Sequence, residues 1–561
     1  MRKSFYYLLF LLVTGLYSCL SEAPIVKKIA KGEKVYGGEV SYESPEIVNQ
    51  FFPLSCISMY EQRAISPVFE TLIQYNEETK SLSGNLISSF TVSKDLKTID
   101  LIVQKGVYFH NDPCFKGKKE ELTAEDIKFT LDFACTPHKL NQQSQLLIGK
   151  IKGAKEFFDS FEGKFSLGVS GIKVLTKYSL RIELTNPSPT FLKTLTHQSI
   201  SVFSKKAYNY YKDRIQQHPI GTGPFTLFSS NDKERVYVRN ANYWRFDEYK
   251  NQLPFLNKIH VKYPTTNNTF SSFATQKTDL LLSIPANEIN SLFGTLDEAK
   301  KGKNILHKLQ FRKGLKISYI GFDCSAGPFN DIHLRKAIFH AVNRELICRQ
   351  FMFGESNPAE NGILPKGAYF EPTISPENPF NMNLAKYHIR KSRYKGDSIL
   401  FFASVKEESP EREWCESVIV DLNQTLGLKI RLITGSYNEK LTSIQSGEAK
   451  MWMGAYIPDY PDAESYLNPY YSNTTGNSIR AIGKYQSMAF DEIFEKSTRE
   501  VDDSVRNELF NSCIKIMNKE APVVPVYFDN LLVVYNLNLR DANMNSFGII
   551  DFSKAYIKPI K

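Results

Sequence analysis

A helix that runs straight into a strand narrows the architecture of this chain before anything else does. PEREWCESVIVDLNQTLG (410–427) has proline in its first turn and glycine past its end, with Trp414, Val418 and Leu422 at helical spacing. LKIRLIT (428–434) follows at once and alternates apolar and polar residues like a half-buried strand. Such a junction is the signature of a layered α/β domain. Other segments extend the pattern. TAEDIKFTLDFA (123–134) opens on an N-cap threonine with an acid three residues on. DIHLRKAIFHAVNRELICRQFM (331–352) starts at a capping Asp331 and is predicted as one helix, with Leu334, Ile338, Ala341, Val342 and Leu346 on one face.

Strand-like runs cover 98–109, 177–186, 234–244, 316–323 and 521–536, and GTGPF (221–225) reads as a tight turn into a strand. No repeat at solenoid spacing occurs, and neither does a G-x-S-x-G, H-E-x-x-H or Walker motif. A length of 561 residues exceeds one compact core and suggests about three to four domains. The net charge of +10, from 70 basic and 60 acidic residues, is spread along the chain. Without a concentrated basic stripe or a recognisable module, nucleic-acid binding is excluded.

The N-terminus sets the compartment. Arg2 and Lys3 precede an uncharged run, SFYYLLFLLVTGLY (4–17), and then Ser18 and Cys19. A membrane-spanning helix needs about 20 apolar residues, so this is a secretory signal, residues 1–18. Its end, Leu16-Tyr17-Ser18-Cys19, resembles the lipobox of bacterial lipoproteins, which implies a lipidated Cys19 followed by a polar tether over 19–35. Several acyl chains on one cysteine anchor stably where a single chain is marginal. The remaining cysteines, at 56, 114, 135, 324, 348, 415 and 513, show no C-x-x-C pair. A zinc site is therefore not expected; packing thiols are, with a Cys114–Cys135 bridge left open.

Read in order, further segments resemble the oligopeptide- and dipeptide-binding lipoproteins of ABC importers, the extracytoplasmic solute-binding proteins of family 5. VFETLIQYNEETKSLSGNLISSFTVSKDLKTIDLIVQKGVYFHND (68–112) is similar to the family's opening stretch, and LTAEDIKFTL to its "TAEDV" helix. HPIGTGPFTL (218–227) with NANYW (240–244) matches its "GTGPY" and "N-x-x-Y-W" elements. ISYIGFDCSAGPFNDIHLRKAIFHAVNRELI (317–347) parallels its "P-F-x-D-x-R-V-R" helix, with Ile332-His333 and Asn343 departing from the pattern.

The resemblance implies a periplasmic binding protein-like fold (type II, cluster C): two lobes with an extra domain around a hinge-bending cleft. Domain I would take 36–69, 206–316 and 526–561, an inserted domain II 70–205, and domain III 317–525. It also implies a monomer that captures a peptide outside the cytoplasm and delivers it to permease subunits with cytoplasmic ATPases. The lipid on Cys19 would hold it to the membrane, and no cofactor or metal would be involved.

A binder of arbitrary peptides should add the ligand as a β-strand and place a carboxylate at its α-ammonium. By resemblance to the family's "D-Y-x-[DE]-P" loop, MGAYIPDYPDAESYLNPYYS (453–472) offers Asp459 as that carboxylate, Ala455, Tyr456 and Ile457 as the main-chain rail, and Tyr456 as an aromatic wall. Pro458 removes a rail amide. The opposite rail is expected near Ile57, Ser58 and Met59, and Tyr527 and Phe528 near the hinge are candidate cleft residues. Asp462 is read as a cap for the turn into ESYL and Glu464 as solvated, while Trp414 and Trp452 are read as core. The partner of the peptide carboxylate stays unassigned. The rival readings are the same fold with a nickel chelate, haem or an oligosaccharide as cargo, and a secreted lipoprotein enzyme, for which no recognisable dyad occurs.

Overall fold

The computed structural model describes residues 29–558 except 166–167, 265–268, 285–287, 295–306, 353–354, 367–378 and 473–482. The signal segment and Cys19 lie outside the described residues. Two long antiparallel strands, His307–Phe322 and Val523–Asn536, run through the middle of one mixed sheet. On one flank follow Met451–Tyr456, Ser398–Ala403 and Lys429–Thr434. On the other lie Leu280–Leu281, Glu39–Glu43, Lys258–Lys262, Glu234–Arg239 and Phe225–Ser230. Lys429–Thr434 pairs in parallel with Ser398–Ala403, and the helix Pro410–Leu426 is the crossover a parallel pair needs. Gly427 ends that helix at φ 68°, a left-handed conformation that favours glycine.

The ladder between the two long strands loses register between Lys313 and Ile317, opposite Phe528–Asn530. Gly314 makes the close approach possible, because a Cβ there would stand 2.3 Å from the Asp529 carbonyl oxygen.

The three largest clusters of buried side chains among the described residues are one drawn from residues 40–280 and 533–555, and two drawn from 317–528. Residues 87–183 form a separate four-stranded antiparallel sheet, yet its inward side chains, such as Ile99, Leu101 and Ile182, join the first cluster. By its packing, the 70–205 segment therefore shares a core with the chain around it.

A buried carboxylate explains why VFETL, GTGPF and NANYW occur together. Glu70 Oε2 accepts from Thr222 Oγ1 at 2.9 Å and Trp244 Nε1 at 3.0 Å, and Oε1 accepts from the Tyr243 hydroxyl at 2.9 Å. Added Cβ atoms on Gly221 and Gly223 would meet the Val68 and Pro67 carbonyl oxygens at 2.0 and 2.6 Å. His110 closes the knot, its Nε2–H donating to the Gly223 carbonyl at 2.9 Å.

The helix expected over 331–352 is two helices, Ile332–Ala341 and Arg344–Gln350. Val342 is extended, and the Asn343 side chain accepts from the Leu346 amide, so the residue that departs from the family pattern is an N-cap. Arg335 and Arg344 turn inward and donate to main-chain carbonyls, among them Ala521 at 3.1 Å and Pro525 at 2.6 Å. All seven described cysteines are free thiols, including Cys114 and Cys135. No helix among the described residues is long and apolar enough to cross a membrane.

Candidate functional site

The strand Met451–Tyr456 is paired along its length with Ile317–Phe322 but meets Ser398–Ala403 only at Met451 and Trp452. Among the described residues, Gly454 and Ala455 therefore have a strand partner on one side only. Lys440 Nζ donates to the Met453 carbonyl at 3.2 Å, which shows that carbonyl pointing away from the ladder. By the two-residue alternation of a strand, the amide and carbonyl of the exposed Ala455 point the same way. Gly454 lies under the Tyr319 ring, whose carbon atoms would meet a Cβ at 2.3 Å.

The strand ends at Tyr456, so Ile457 is past it and Pro458, two residues on, takes no amide from the ladder. Asp459 is 9% exposed, and its amide donates to Ser465 Oγ at 2.7 Å. The Tyr456 hydroxyl lies 3.1 Å from Asp459 Oδ2 and 2.9 Å from the Ser465 carbonyl oxygen, sharing its proton between them. Tyr456 is thus less a flat aromatic wall than a prop for Asp459, its ring edge-on to Tyr466 at 6.2 Å.

Asp462 does cap the helix Ala463–Leu467, accepting from the Glu464 amide at 3.0 Å. Neither acid is solvated, which corrects the expectation for Glu464 in particular. Arg506 grips Asp462 with two bonds of 2.9 and 2.6 Å, and Lys193 adds a third at 2.7 Å. Burial alone would raise the Asp462 carboxyl, but Arg506 and then Lys193 hold it well below the usual carboxylate range. Glu464 accepts from Thr190 Oγ1 at 2.7 Å and from the Tyr460 hydroxyl at 2.8 Å. Lys150 lies 4.5 Å from the Tyr460 ring centre and 3.7 Å from Glu464. Lys150, Thr190 and Lys193 belong to the segment packed with the first core, so this loop is held from both bodies of the molecule. Nothing local in the sequence marks those partners, which lie 269 or more residues away from Asp462 and Glu464.

The other expected residues are placed less favourably. Ser58 is the N-cap of the helix Met59–Ile65, and the amides of Ile57 and Ser58 both donate to Glu61 Oε2 at 2.9 Å. That capping box leaves neither amide for a ligand strand. Ile57 itself is 56% exposed. Tyr527 and Phe528 do not form an open cleft wall: Tyr527 is fully buried against Trp414, and Phe528 lies in the cluster beneath Tyr466. A strand in the middle of a sheet has both faces covered, which is why both side chains are core. Trp414 and Trp452 are buried as read. A concavity of about 720 Å³ elsewhere, lined by Asn111, Phe228 and Arg239 among others, includes none of these residues.

Residues 81–478 match the family described as "Bacterial extracellular solute-binding proteins, family 5 Middle". The peptide transport periplasmic protein SapA of Haemophilus influenzae is 23% identical over 527 residues, spanning 87% of this chain and 88% of its own. Heme-binding protein A of the same species is 23% identical over 470 residues, spanning 82% and 81%. Among solved structures, the ABC transporter-associated periplasmic binding protein DppA from Helicobacter pylori, in complex with the peptide STSA, superposes with a TM-score of 0.75 at 21% identity. That likeness covers 93% of this chain and 99% of the other, and it is one of fold: an α/β periplasmic binding protein-like architecture. Since the family match takes in well over half of the sequence, the chain belongs to the family 5 bacterial extracellular solute-binding proteins.

Proposed function

We propose that this protein is the cargo-binding lipoprotein of an ABC importer for peptides, anchored through Cys19 and handing its cargo to membrane permease subunits driven by cytoplasmic ATPases. One observation carries the peptide reading: an open strand edge at Gly454 and Ala455 leads to a buried carboxylate, Asp459, held by Tyr456 and Ser465. A ligand strand laid on that edge satisfies its amides from main chain, whatever its side chains, and its ammonium meets Asp459. Ile57, Ser58 and Met59 contribute from the facing side through carbonyls and side chains, the amides of Ile57 and Ser58 being spent on Glu61. The two cores swing about the register break at 314–316, and a bound peptide favours the closed arrangement.

The reading is tested on protein lacking residues 1–19. Free-amine peptides should raise its melting temperature, and Asp459→Ala should weaken their binding by about 2–5 kcal/mol, the scale for truncating one partner of a buried charge pair. Equal binding of N-acetylated and free peptides would sink the role of Asp459. Native mass spectrometry of the protein as purified decides the cargo class, and retained haem or sugar in place of peptide would overturn the peptide reading.

A further inference from the structure

The open strand edge ends in a cation that no acid among the described residues neutralises. Lys440 lies in the helix Tyr437–Gln445, which precedes the strand Met451–Tyr456. It is 9% exposed, and among the described residues its ammonium has, besides the 3.2 Å bond to the Met453 carbonyl, only the Tyr437 ring, 5.0 Å from the centroid. Among the described residues no carboxylate oxygen lies within 4.0 Å of it. The acids nearest in sequence are engaged elsewhere: Glu439 accepts from Ser436 at 2.7 and 2.8 Å, and Glu448 from Ser443 at 2.9 Å. Burial pushes the Lys440 ammonium down to about 8.

The contrast with Lys34, the other buried lysine among the described residues, is sharp. Lys34 has three carboxylates at 3.0 to 3.6 Å. A buried ammonium with one carbonyl and a ring face is poorly compensated, and a carboxylate brought by a ligand would complete it. The position suits such a visitor. Lys440 reaches the strand at Met453, on the same edge as the open main chain of Ala455 and at the end away from Asp459. From Met453 to Tyr456 the strand runs about 10 Å, the reach of two or three extended residues.

Building on the peptide reading above, we propose that Lys440 seats the carboxylate of a short peptide that lies antiparallel on this edge with its ammonium toward Asp459. The cleft then selects di- and tripeptides with a free C-terminus, and longer chains only where they can leave the edge.

The test uses protein lacking residues 1–19 and three forms of one mixed tripeptide library: free, C-terminally amidated and N-acetylated. Affinities are read by calorimetry and native mass spectrometry. Wild type should favour the free acid over the amide by at least about tenfold, the scale of one charge-assisted bond. Lys440→Met should bind acid and amide alike while still rejecting N-acetylated peptides, and Lys440→Arg should keep the acid preference. The apo Lys440→Met protein should melt no lower than wild type, because an uncompensated buried charge has been removed; should it fail to fold, Lys440→Gln takes its place. A persistent acid preference in Lys440→Met, or none in wild type, overturns the assignment. Wild type that rejects amides but accepts N-acetylated peptides leaves Lys440 in place and removes Asp459 from the reading. Binding of no library member removes both.

Discussion

Two buried polar knots, one around Glu70 and one around Asp462 and Glu464, use the same residue type for opposite ends. Glu70 accepts its hydrogen bonds from neutral donors, Thr222, Tyr243 and Trp244, and has one cation, Arg245, at 3.7 Å. Burial raises its carboxyl above the usual value, and Arg245 only partly offsets that. Asp462 is satisfied by cations, and Lys193 comes from the other body of the molecule. A knot of neutral donors can open only at the full desolvation cost of every member. A pair with a half-buried lysine can open into water, where both charges are solvated again. If the protein closes on its cargo as proposed, the first knot is expected to stay closed and the second to be the one that opens.

The largest effect expected from breaking this contrast is at Glu70. Glu70→Ala orphans three buried donors at about 1–3 kcal/mol each, so urea unfolding should show a loss of at least about 3 kcal/mol. A loss under 1 kcal/mol would mean that water replaces the carboxylate and that the knot is not what fixes GTGPF.

Acid separates the two knots next. Burial lowers His110 from 6.5 to about 4, while its bond to the Gly223 carbonyl acts the other way. A ring kept neutral in the fold contributes fully above pH 6.5 and loses that contribution as pH falls toward 4. The shift is worth up to about 3 kcal/mol at 1.36 kcal/mol per unit. Asp462 is held down, so its contribution is present above the ordinary carboxylate range and is lost only below it. Between pH 6.5 and 4 the contribution of His110 should be lost while the Asp462 pair holds, and the raised carboxyl of Glu70, which favours the fold as pH falls, offsets part of that loss. Denaturant titrations across that window should lose about one proton's worth of slope in His110→Gln. His388, also lowered to about 4 by burial and then by Lys336, accounts for a further part of the wild-type slope.

What could be read from the sequence follows the range of the interactions involved. The caps at Thr123 and Asp331, the first-turn Pro410 and the helix-to-strand junction at Gly427 depend on neighbours within a few residues and were legible. The break at Val342 was hidden because the apolar spacing continues through it and only the Asn343 cap interrupts the helix. Resemblance brought HPIGTGPFTL and NANYW together, but the reason, a shared carboxylate at residue 70, is 152 to 174 residues away in sequence. Asp459 was legible as part of a motif. The ion pairs of Asp462 were not, since Lys193 and Arg506 lie 269 and 44 residues away, and the local contacts of Tyr456 and Lys440 were not, since they depend on how the loop and the helix turn back onto the strand. Tyr527 was misplaced for the same reason: position near a crossing says nothing of which strands flank it.

The smallest expected effect sharpens the comparison most. Lys193 and Lys150 are 27% and 21% exposed in their side chains, and a pair of that kind contributes at most about 1 kcal/mol. The double variant Lys150→Met, Lys193→Met should therefore unfold in urea within about 2 kcal/mol of wild type, since Asp462 keeps Arg506. The loss should appear instead in closure. Scattering of the apo and peptide-loaded forms should show a more open average shape for the variant. Peptide affinity should fall by several-fold, and it should depend less on salt than in wild type, because the cross-body ion pairs that salt screens are gone. A variant that loses stability on the scale of Glu70→Ala, with affinity per folded molecule unchanged, would show that these acids brace the fold as Glu70 does. The second knot would then be a brace between bodies, and the distinction drawn between the two carboxylates would collapse.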